Sequence, residues 1–439
     1  MMSHDVGKML LGKGYFKNAI KTFEEIIKNE PNDLRANFFL GKIYYDLNNL
    51  DKSLIYYENC RKIEPNNPNV LFNLSLVFQS SGKIEKAKKI YLKLISINKE
   101  DIKSYFGLHM LGINNITDEI FADLQSILKK KTLSLFNRSM INYLFSKIKK
   151  KNKEFENEGK LLKLSHSLCY QANYNHHVQS NFYYNKIISK NYHKIKFIND
   201  FKPLENFNNL KHIFIVGLPR SGSSLVETII NHNYKNLYSF GEFHAFNTSI
   251  LNQISEKIYS KDFDNKSYEI HIDTKKFQEE LLQKYCNHDN KAFIDKSLEN
   301  FFNIDLILKF FPEAKFINTI RNYKDSIIAI YQTLLPELSW CHTIGEIKNY
   351  IDYYNETMDY FRKKYPEKIL DVNLDNLTNH KENETKKILR FLNISVSDNY
   401  LDFDKNEKLF NKTNSFLQVR QNIKSYEYDK YKKYYYLLD

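Results

Sequence analysis

The sequence predicts two architectures in series: an α-helical repeat solenoid, then an α/β domain whose parallel sheet is covered by helices. Three observations carry this. The first stretch, to about residue 100, repeats with a period of 34. From about residue 205, short β-rich runs alternate with helical stretches. One of those junctions, Ile213 to Glu227, reads IFIVGLPRSGSSLVE, a strand, a glycine-containing turn and a helix start.

The repeats come first in the chain. Leu40, Gly41, Tyr44, Tyr57 and Pro65 fall at the spacing of tetratricopeptide repeats. One period forward gives Leu74, Ser75, Phe78, Tyr91 and Lys99, with Gly82 and Ala87 at the turn and packing positions. One period back gives Val6, Gly7, Leu10, Phe23 and Pro31, with Gly14 and Ala19 in the corresponding places. Small residues let paired helices approach, aromatics fill the gap, and proline ends the second helix. The stripe Tyr44, Tyr45, Tyr56, Tyr57 therefore reads as repeat core. A fourth copy begins near Asp101, with Leu108 in register, and then decays. Residues 117 to 200 stay helical in pattern, as in Ile141, Leu144, Phe145 and Ile148. Such arrays bind peptides or neighbouring proteins on a concave face. The expected division is repeats over 1–116, a helical extension and linker over 117–204, and the α/β domain over 205–439.

In the second half the strand candidates are Ile213–Val216, Leu237–Phe240, Ala292–Ile294, Lys315–Ile320 and Ile369–Val372. Helices fill the intervals, notably Ser224–Asn231, Asn300–Phe311, Lys324–Leu334 and Glu346–Lys364. Parallel sheets bind ligands beyond the carboxyl ends of their strands. The residues standing there are Gly241 and Glu242, then Asp295, Lys296 and Ser297, then Arg321 and Asn322. One carboxylate and two cations, with Arg220 from the first junction, are placed to converge. At that junction Gly217 and Gly222 let backbone approach a phosphate, and the helix opening at Ser223 and Ser224 offers N–H groups and a favourable dipole. The spacing is that of the nucleotide P-loop, but Ser223 stands where that loop has lysine.

Composition narrows the class. The chain has 439 residues and a net charge of +13. Lys129–Lys131 and Lys147–Lys153 read as solvated helix faces, so nucleic acid is not the expected partner. No apolar run approaches the roughly 18 residues of a membrane span, and no secretory signal is visible. Cys60, Cys169, Cys286 and Cys341 are scattered without CxxC pairing, which suits a reducing cytoplasm and no zinc site or disulfide framework.

The segment Pro219, Arg220, Ser221, Gly222, Ser223, Ser224 resembles the PRSGTT loop of sulfotransferases, which binds the 5′-phosphosulfate of PAPS (3′-phosphoadenosine 5′-phosphosulfate). FINTIRNYKDSIIAIY, Phe316 to Tyr331, resembles the family's 3′-phosphate site. Arg321 matches its arginine, while Ala329 departs from the serine eight positions on, and Ser326 lies one turn earlier. IDKSLENF, Ile294 to Phe301, is similar to the DKxPxNF segment of bacterial sulfotransferases that carry tetratricopeptide repeats, and Lys296 matches the lysine that neutralises the leaving phosphate. SFGEF, Ser239 to Phe243, resembles the segment holding the catalytic glutamate of tyrosylprotein sulfotransferases, with Glu242 as the base. No arginine follows it, which weakens an acidic peptide as acceptor. Asn231, His232 and Asn233 read as a structural turn. NSFLQVRQNIKS, Asn414 to Ser425, resembles the closing segment SxxQVRxPI, and Ser415, Arg420 and Lys424 match or neighbour its donor contacts.

The resemblance implies a PAPS-dependent sulfotransferase, with PAP as product and no metal. Its acceptor would be a protein or peptide, a glycan or a small alcohol, and the repeats would bind acceptor or partner. Two other readings stay open: a P-loop kinase or nucleotide hydrolase, with Asp295 as its metal ligand, and a non-catalytic repeat scaffold.

Overall fold

The computed structural model describes residues 3–200, 211–258, 269–285, 292–402 and 429–438. Its first part is helical hairpins in register with the repeat. His4–Gly12 pairs with Phe16–Asn29, Leu34–Asp46 with Leu50–Ile63, and Pro68–Ser80 with Ile84–Ile97. Ile102–Met110 opens the fourth copy and ends early. The periodic glycines work by contact. A Cβ on Gly41 would lie 3.0 Å from the Tyr57 ring, and one on Gly7 would lie 2.5 Å from the Phe23 ring. Tyr57 and Phe23 are accordingly buried. Tyr44 stacks on Tyr56 at 5.6 Å, as repeat core should.

The extension continues as Asp118–Leu128, Leu135–Lys151 and Phe155–Ala172, the last two forming a long antiparallel pair. This pair packs on the second half rather than standing clear of it. His166 Nε2 lies 2.8 Å from the Tyr331 carbonyl, and Tyr434 donates to Glu158 at 2.7 Å.

Among the described residues the second half holds a five-stranded sheet and a two-stranded one. The strands are β1 (Lys196–Phe197), β2 (Lys211–Gly217), β3 (Leu237–Ser239), β4 (His271–Ile272), β5 (Ala292–Asp295), β6 (Lys315–Ile320) and β7 (Ile369–Asn373). The large sheet runs β3-β5-β2-β6-β7 and every pairing in it is parallel; β1 pairs with β4 in the small one. The central β2 is buried along six of its seven residues, and its neighbours are as apolar, because helices cover both faces. One face packs on Val226, Ile229, Ile230, Ile388 and Leu389, the other on Phe246, Phe277, Phe310 and Phe311.

All five main strands stand where the sequence put them, with ends shifted by at most a residue or two. The differences lie in the helices. Asn300–Phe311 is a 3₁₀ segment, Leu298–Asn303, followed by a short helix, Ile304–Phe310. Four described helices of this half were not named from the sequence: Ala245–Ile258, Thr274–Tyr285, Leu374–Asn379 and Lys381–Phe391. The small sheet was also missed, because two-residue strands leave no periodic signal.

Candidate functional site

The turn after β2 is built by close backbone approach. Gly217 has φ 142°, and a Cβ there would lie 2.5 Å from the Thr319 carbonyl oxygen of β6. Gly222 is left-handed at φ 96°, and a Cβ there would meet Leu374 at 2.7 Å. Ser221 is buried, donating to the Leu218 carbonyl at 2.6 Å and lying 2.6 Å from Thr319 Oγ1. The turn is thus tied to β6. Gly217→Ala should destabilise the protein by roughly 2–4 kcal/mol, combining backbone strain with overpacking, and denaturant unfolding checks this.

The helix Ser223–Asn233 begins directly from this turn and has no side-chain cap. An uncapped helix N-terminus behind two glycines is the arrangement that accepts an anion. Ser223 and Ser224 are buried at its start. Arg220 itself is left-handed, at φ 67°, a conformation unusual for a non-glycine residue. Burial is the main pull lowering the pKa of its guanidinium; Tyr431 and Tyr143 oppose it and Arg321 adds to it.

At the ends of β3 and β5 stands an ionic group. Lys296 is fully buried, with Nζ 2.9 Å from Glu242 Oε1 and 3.6 Å from Glu227 Oε2. Glu227 comes from the loop helix and accepts a hydrogen bond from Ser239. Burial works against the Lys296 charge, but Glu242 and Glu227 outweigh it and hold the ammonium above the usual lysine pKa. Glu242 is nearly half exposed, 45% at the side chain, so a reactant can reach it while its lysine stays dry. The backbone fixes the pair from both sides, since the Lys296 N–H donates to the Gly241 carbonyl at 2.9 Å.

Asp295 has a different part. It is buried, bonded by Tyr285 at 2.5 Å and by the Ser297 N–H at 2.8 Å, and burial raises its pKa. Its oxygens hold β5 to its surroundings, which leaves little room for a metal-ligand role. Among the described residues no group of three or more His, Cys, Asp or Glu side chains is placed to hold a metal ion.

Arg321, at the end of β6, donates to the Arg220 carbonyl at 3.1 Å and lies 4.7 Å from the centre of the Tyr431 ring. The sequence candidates therefore gather in two groups. Lys296 joins Glu242, while Arg220 joins Arg321, and the turn after β2 lies between them because β2 runs between β5 and β6. Ser326 bonds back to the Asn322 carbonyl at 2.9 Å, and Ala329 is buried beneath Tyr431 and Tyr434. Pro219 is half-buried in the turn. Ser415, Arg420 and Lys424 lie outside the described residues. His232 and Asn233 bond the carbonyls of Asn399 and Tyr400, the structural role expected of them.

Sequence reasoning missed Glu227, whose position on a helix interior carries no motif. It also missed His244, which has φ 53° and pairs with Glu299. Burial pulls the His244 pKa down, but Glu299, with Glu242 and Asp295, overrides this and holds it near 9. Because its folded pKa is raised, the pair stabilises the fold fully below about pH 6.5 and loses that contribution as pH rises through about 9. The ring is 44% exposed, so solvent screens much of the effect. A proton titration of His244 followed by NMR should have its midpoint near 9, and Glu299→Gln should bring it down toward 6.5.

Residues 212–398 match the family model described as the sulfotransferase family, and residues 34–67 and 68–101 match that of the tetratricopeptide repeat. Residues 212–398 thus resemble the sulfotransferase family and follow residues that match tetratricopeptide repeats. An uncharacterized protein of Aquifex aeolicus is 24% identical over 387 residues, covering 83% of this chain and 48% of its own length. The chain thus spans about half the length of that relative. A TPR repeat-containing protein of Methanocaldococcus jannaschii is 31% identical over 83 residues, which is 19% of this chain and 14% of that protein. Among solved structures, sulfotransferase STF1 from Mycobacterium tuberculosis overlaps 69% of this chain and 97% of its own, at 11% identity and a TM-score of 0.32. That overlap is too loose to bear on the site. The sulfotransferase match spans the turn, Glu242, Lys296 and Arg321, so both groups of candidate residues fall inside it. No described helix is long and apolar enough to cross a membrane.

Proposed function

We propose that the protein transfers a sulfuryl group from PAPS to an acceptor hydroxyl, with Glu242 as general base and Lys296 as the cation for the leaving phosphate. The observation that carries this is the buried Lys296 held 2.9 Å from an accessible Glu242, beside an uncapped helix N-terminus. A kinase would need the loop lysine, and here Ser223 takes its place. The residues that would hold PAPS are the turn 219–224, Lys296 and Arg321, with Ser415, Arg420 and Lys424 as further donor contacts.

PAPS supplies the sulfuryl group. The acceptor oxygen forms a bond to sulfur, the bridging S–O bond breaks, and the acceptor proton goes to Glu242. Lys296 pairs with Glu242 at 2.9 Å, so the base and the charge that balances the leaving phosphate are held side by side. Buried, pre-aligned charge of this kind is worth more than the same charge in water. Arg220 is proposed as a second cation for the leaving group through the turn that it strains.

Acceptor delivery falls to the repeats, which touch the sheet beside the base. Phe16 packs on Phe243 at 5.7 Å, Asn48 donates to the Ser239 carbonyl at 2.8 Å, and Tyr238 donates to the Leu47 carbonyl. A cleft of about 270 Å³ opens there, lined by Phe16, Lys17, Tyr44, Lys52 and Tyr238 among others. The proposed acceptor is a protein, peptide, glycan or small alcohol laid along this cleft toward Glu242. The division 1–116, 117–204 and 205–439 is proposed with it, and a cytoplasmic setting suits the buried free thiols of Cys60, Cys169 and Cys341. Incubation with radiolabelled PAPS and a panel of peptide, glycan and alcohol acceptors tests the reading. Label in an acceptor, absent with Glu242→Gln, supports it; label in none, with ATP consumed instead, contradicts it.

A further inference from the structure

Glu242 shares its turn with a second exposed, charged side chain, His244. Gly241 and His244 are both left-handed, at φ 63° and 53°. Phe243 packs inward, its ring 5.0 Å from that of Phe240 and 5.7 Å from that of Tyr285. The side chains flanking it, Glu242 and His244, are 45% and 44% exposed. Their Cα atoms stand at most about 7 Å apart, the reach of two residues. The segment after β5 grips the turn at both ends. The Lys296 N–H donates to the Gly241 carbonyl at 2.9 Å, and the His244 N–H donates to the buried Ser297 hydroxyl at 2.6 Å.

The His244 ring has one nitrogen engaged and one spare. Nδ1 bonds Glu299, and Nε2 meets no polar partner among the described residues. Burial lowers the pKa, but Glu299, Glu242 and Asp295 hold it near 9, so at neutral pH both nitrogens carry hydrogen. Two features of this placement cost stability. The backbone is left-handed at a non-glycine residue, and the Thr248 N–H bonds the His244 carbonyl, which sets a cation at the start of the helix Ala245–Ile258. Unfavourable placements of this kind gather where substrates bind. The surrounding charge decides which substrate. At the turn, Lys296 and His244 stand among the carboxyl groups of Glu227, Glu242, Asp295 and Glu299. In the cleft beside it, Lys17, Lys52 and Lys284 face Glu24. The two imbalances offset each other, so the acceptor side as a whole draws neither a strong anion nor a strong cation.

We propose that His244 orients the acceptor: its Nε2–H donates to an oxygen adjoining the hydroxyl that Glu242 deprotonates, so that the turn grips two neighbouring oxygens of a neutral sugar or polyol. This rests on the sulfuryl-transfer reading above. The two side chains differ in chemistry as the task requires. A carboxylate accepts from the reacting O–H, and an imidazolium, which can only donate, takes the oxygen beside it. A sugar ring carries such adjoining oxygens throughout, whereas a tyrosine phenol has none next to its hydroxyl. Among protein, glycan and simple alcohol acceptors, the geometry therefore favours the polyhydroxylated ones.

The test offers the full chain radiolabelled PAPS and acceptors built on one ring: cyclohexanol, trans-1,2-cyclohexanediol and trans-2-hydroxycyclohexanecarboxylate, with an acidic tyrosine peptide beside them. The wild type is expected to favour the diol over cyclohexanol by about tenfold or more in kcat/KM, the effect of one charge-assisted hydrogen bond, and to favour it over the hydroxy acid and the peptide. His244→Asn, whose side chain tolerates a left-handed backbone, should bring the diol down to the level of cyclohexanol. Cyclohexanol turnover and PAP affinity should stay within a few fold of wild type. Glu299→Gln keeps the ring but lets its pKa fall toward 6.5, so at pH 8 the KM for the diol should rise while kcat is largely kept. An unchanged diol preference in His244→Asn overturns the inference and leaves the transfer reading standing. Equal losses on diol and cyclohexanol also overturn it, since that is the mark of a structural residue. So does a wild type that labels the hydroxy acid or the peptide best, or that binds PAP yet labels none of the acceptors. A wild type that binds no PAP and labels nothing overturns the transfer reading and this inference together.

Discussion

Lys296→Met is expected to lower sulfuryl transfer by roughly 10²–10³, the usual effect of removing one preorganised charge from a reacting site. The side chain is fully buried, and its ammonium serves Glu242 and Glu227 at once. Removing it leaves two carboxylates facing each other, one of them buried. Breaking a buried pair in this way costs about 3–5 kcal/mol, and the exposure of Glu242 draws the figure toward the low end. Activity loss and stability loss can be separated. Adding Glu227→Gln to Lys296→Met removes the stranded buried charge, so thermal stability should partly return while turnover stays low. Turnover that returns along with stability would reduce Lys296 to a structural residue.

Glu242→Gln is expected to abolish most turnover, by about 10²–10⁴ for the loss of a general base, while PAP affinity stays within a few fold of wild type. The glutamine keeps the shape of the side chain and still reaches Lys296. The expectation follows from its position: Glu242 is exposed at the mouth of the group, where it pairs with the buried Lys296. Single-turnover chemistry and PAP calorimetry on the same preparation check this. A collapse of PAP affinity would mean that the carboxylate organises the donor site rather than taking a proton.

The sequence analysis was strongest where chemistry leaves a local pattern. Gly7, Gly41, Phe23 and Tyr57 gave the repeats because one contact recurs each period. The five sheet strands were legible because they are short, β-branched and followed by polar residues. Glu242, Lys296, Arg321 and the 219–224 turn were legible for the second reason, as residues just beyond strand ends. What stayed hidden depends on residues far apart in sequence. Glu227 sits on a helix interior and becomes part of the ionic group only through its 3.6 Å approach to Lys296. Lys147 belongs to a basic run that reads as surface, and only the docking of the extension on Gln332 turns it inward. The hydrogen bond from Arg321 to the Arg220 carbonyl, at a residue with left-handed backbone, is likewise something no spacing rule encodes.

The central claim is that this chain binds a nucleotide through its 3′-phosphate, without metal, at the ends of β2 and β6. Calorimetry of PAP with wild type and Arg321→Ala, in metal-free buffer, tests that claim most directly. Micromolar binding by the wild type that is lost in Arg321→Ala is the predicted result. No PAP binding by the wild type, alongside binding of ATP with magnesium, would contradict the sulfotransferase reading and point to a kinase-like protein.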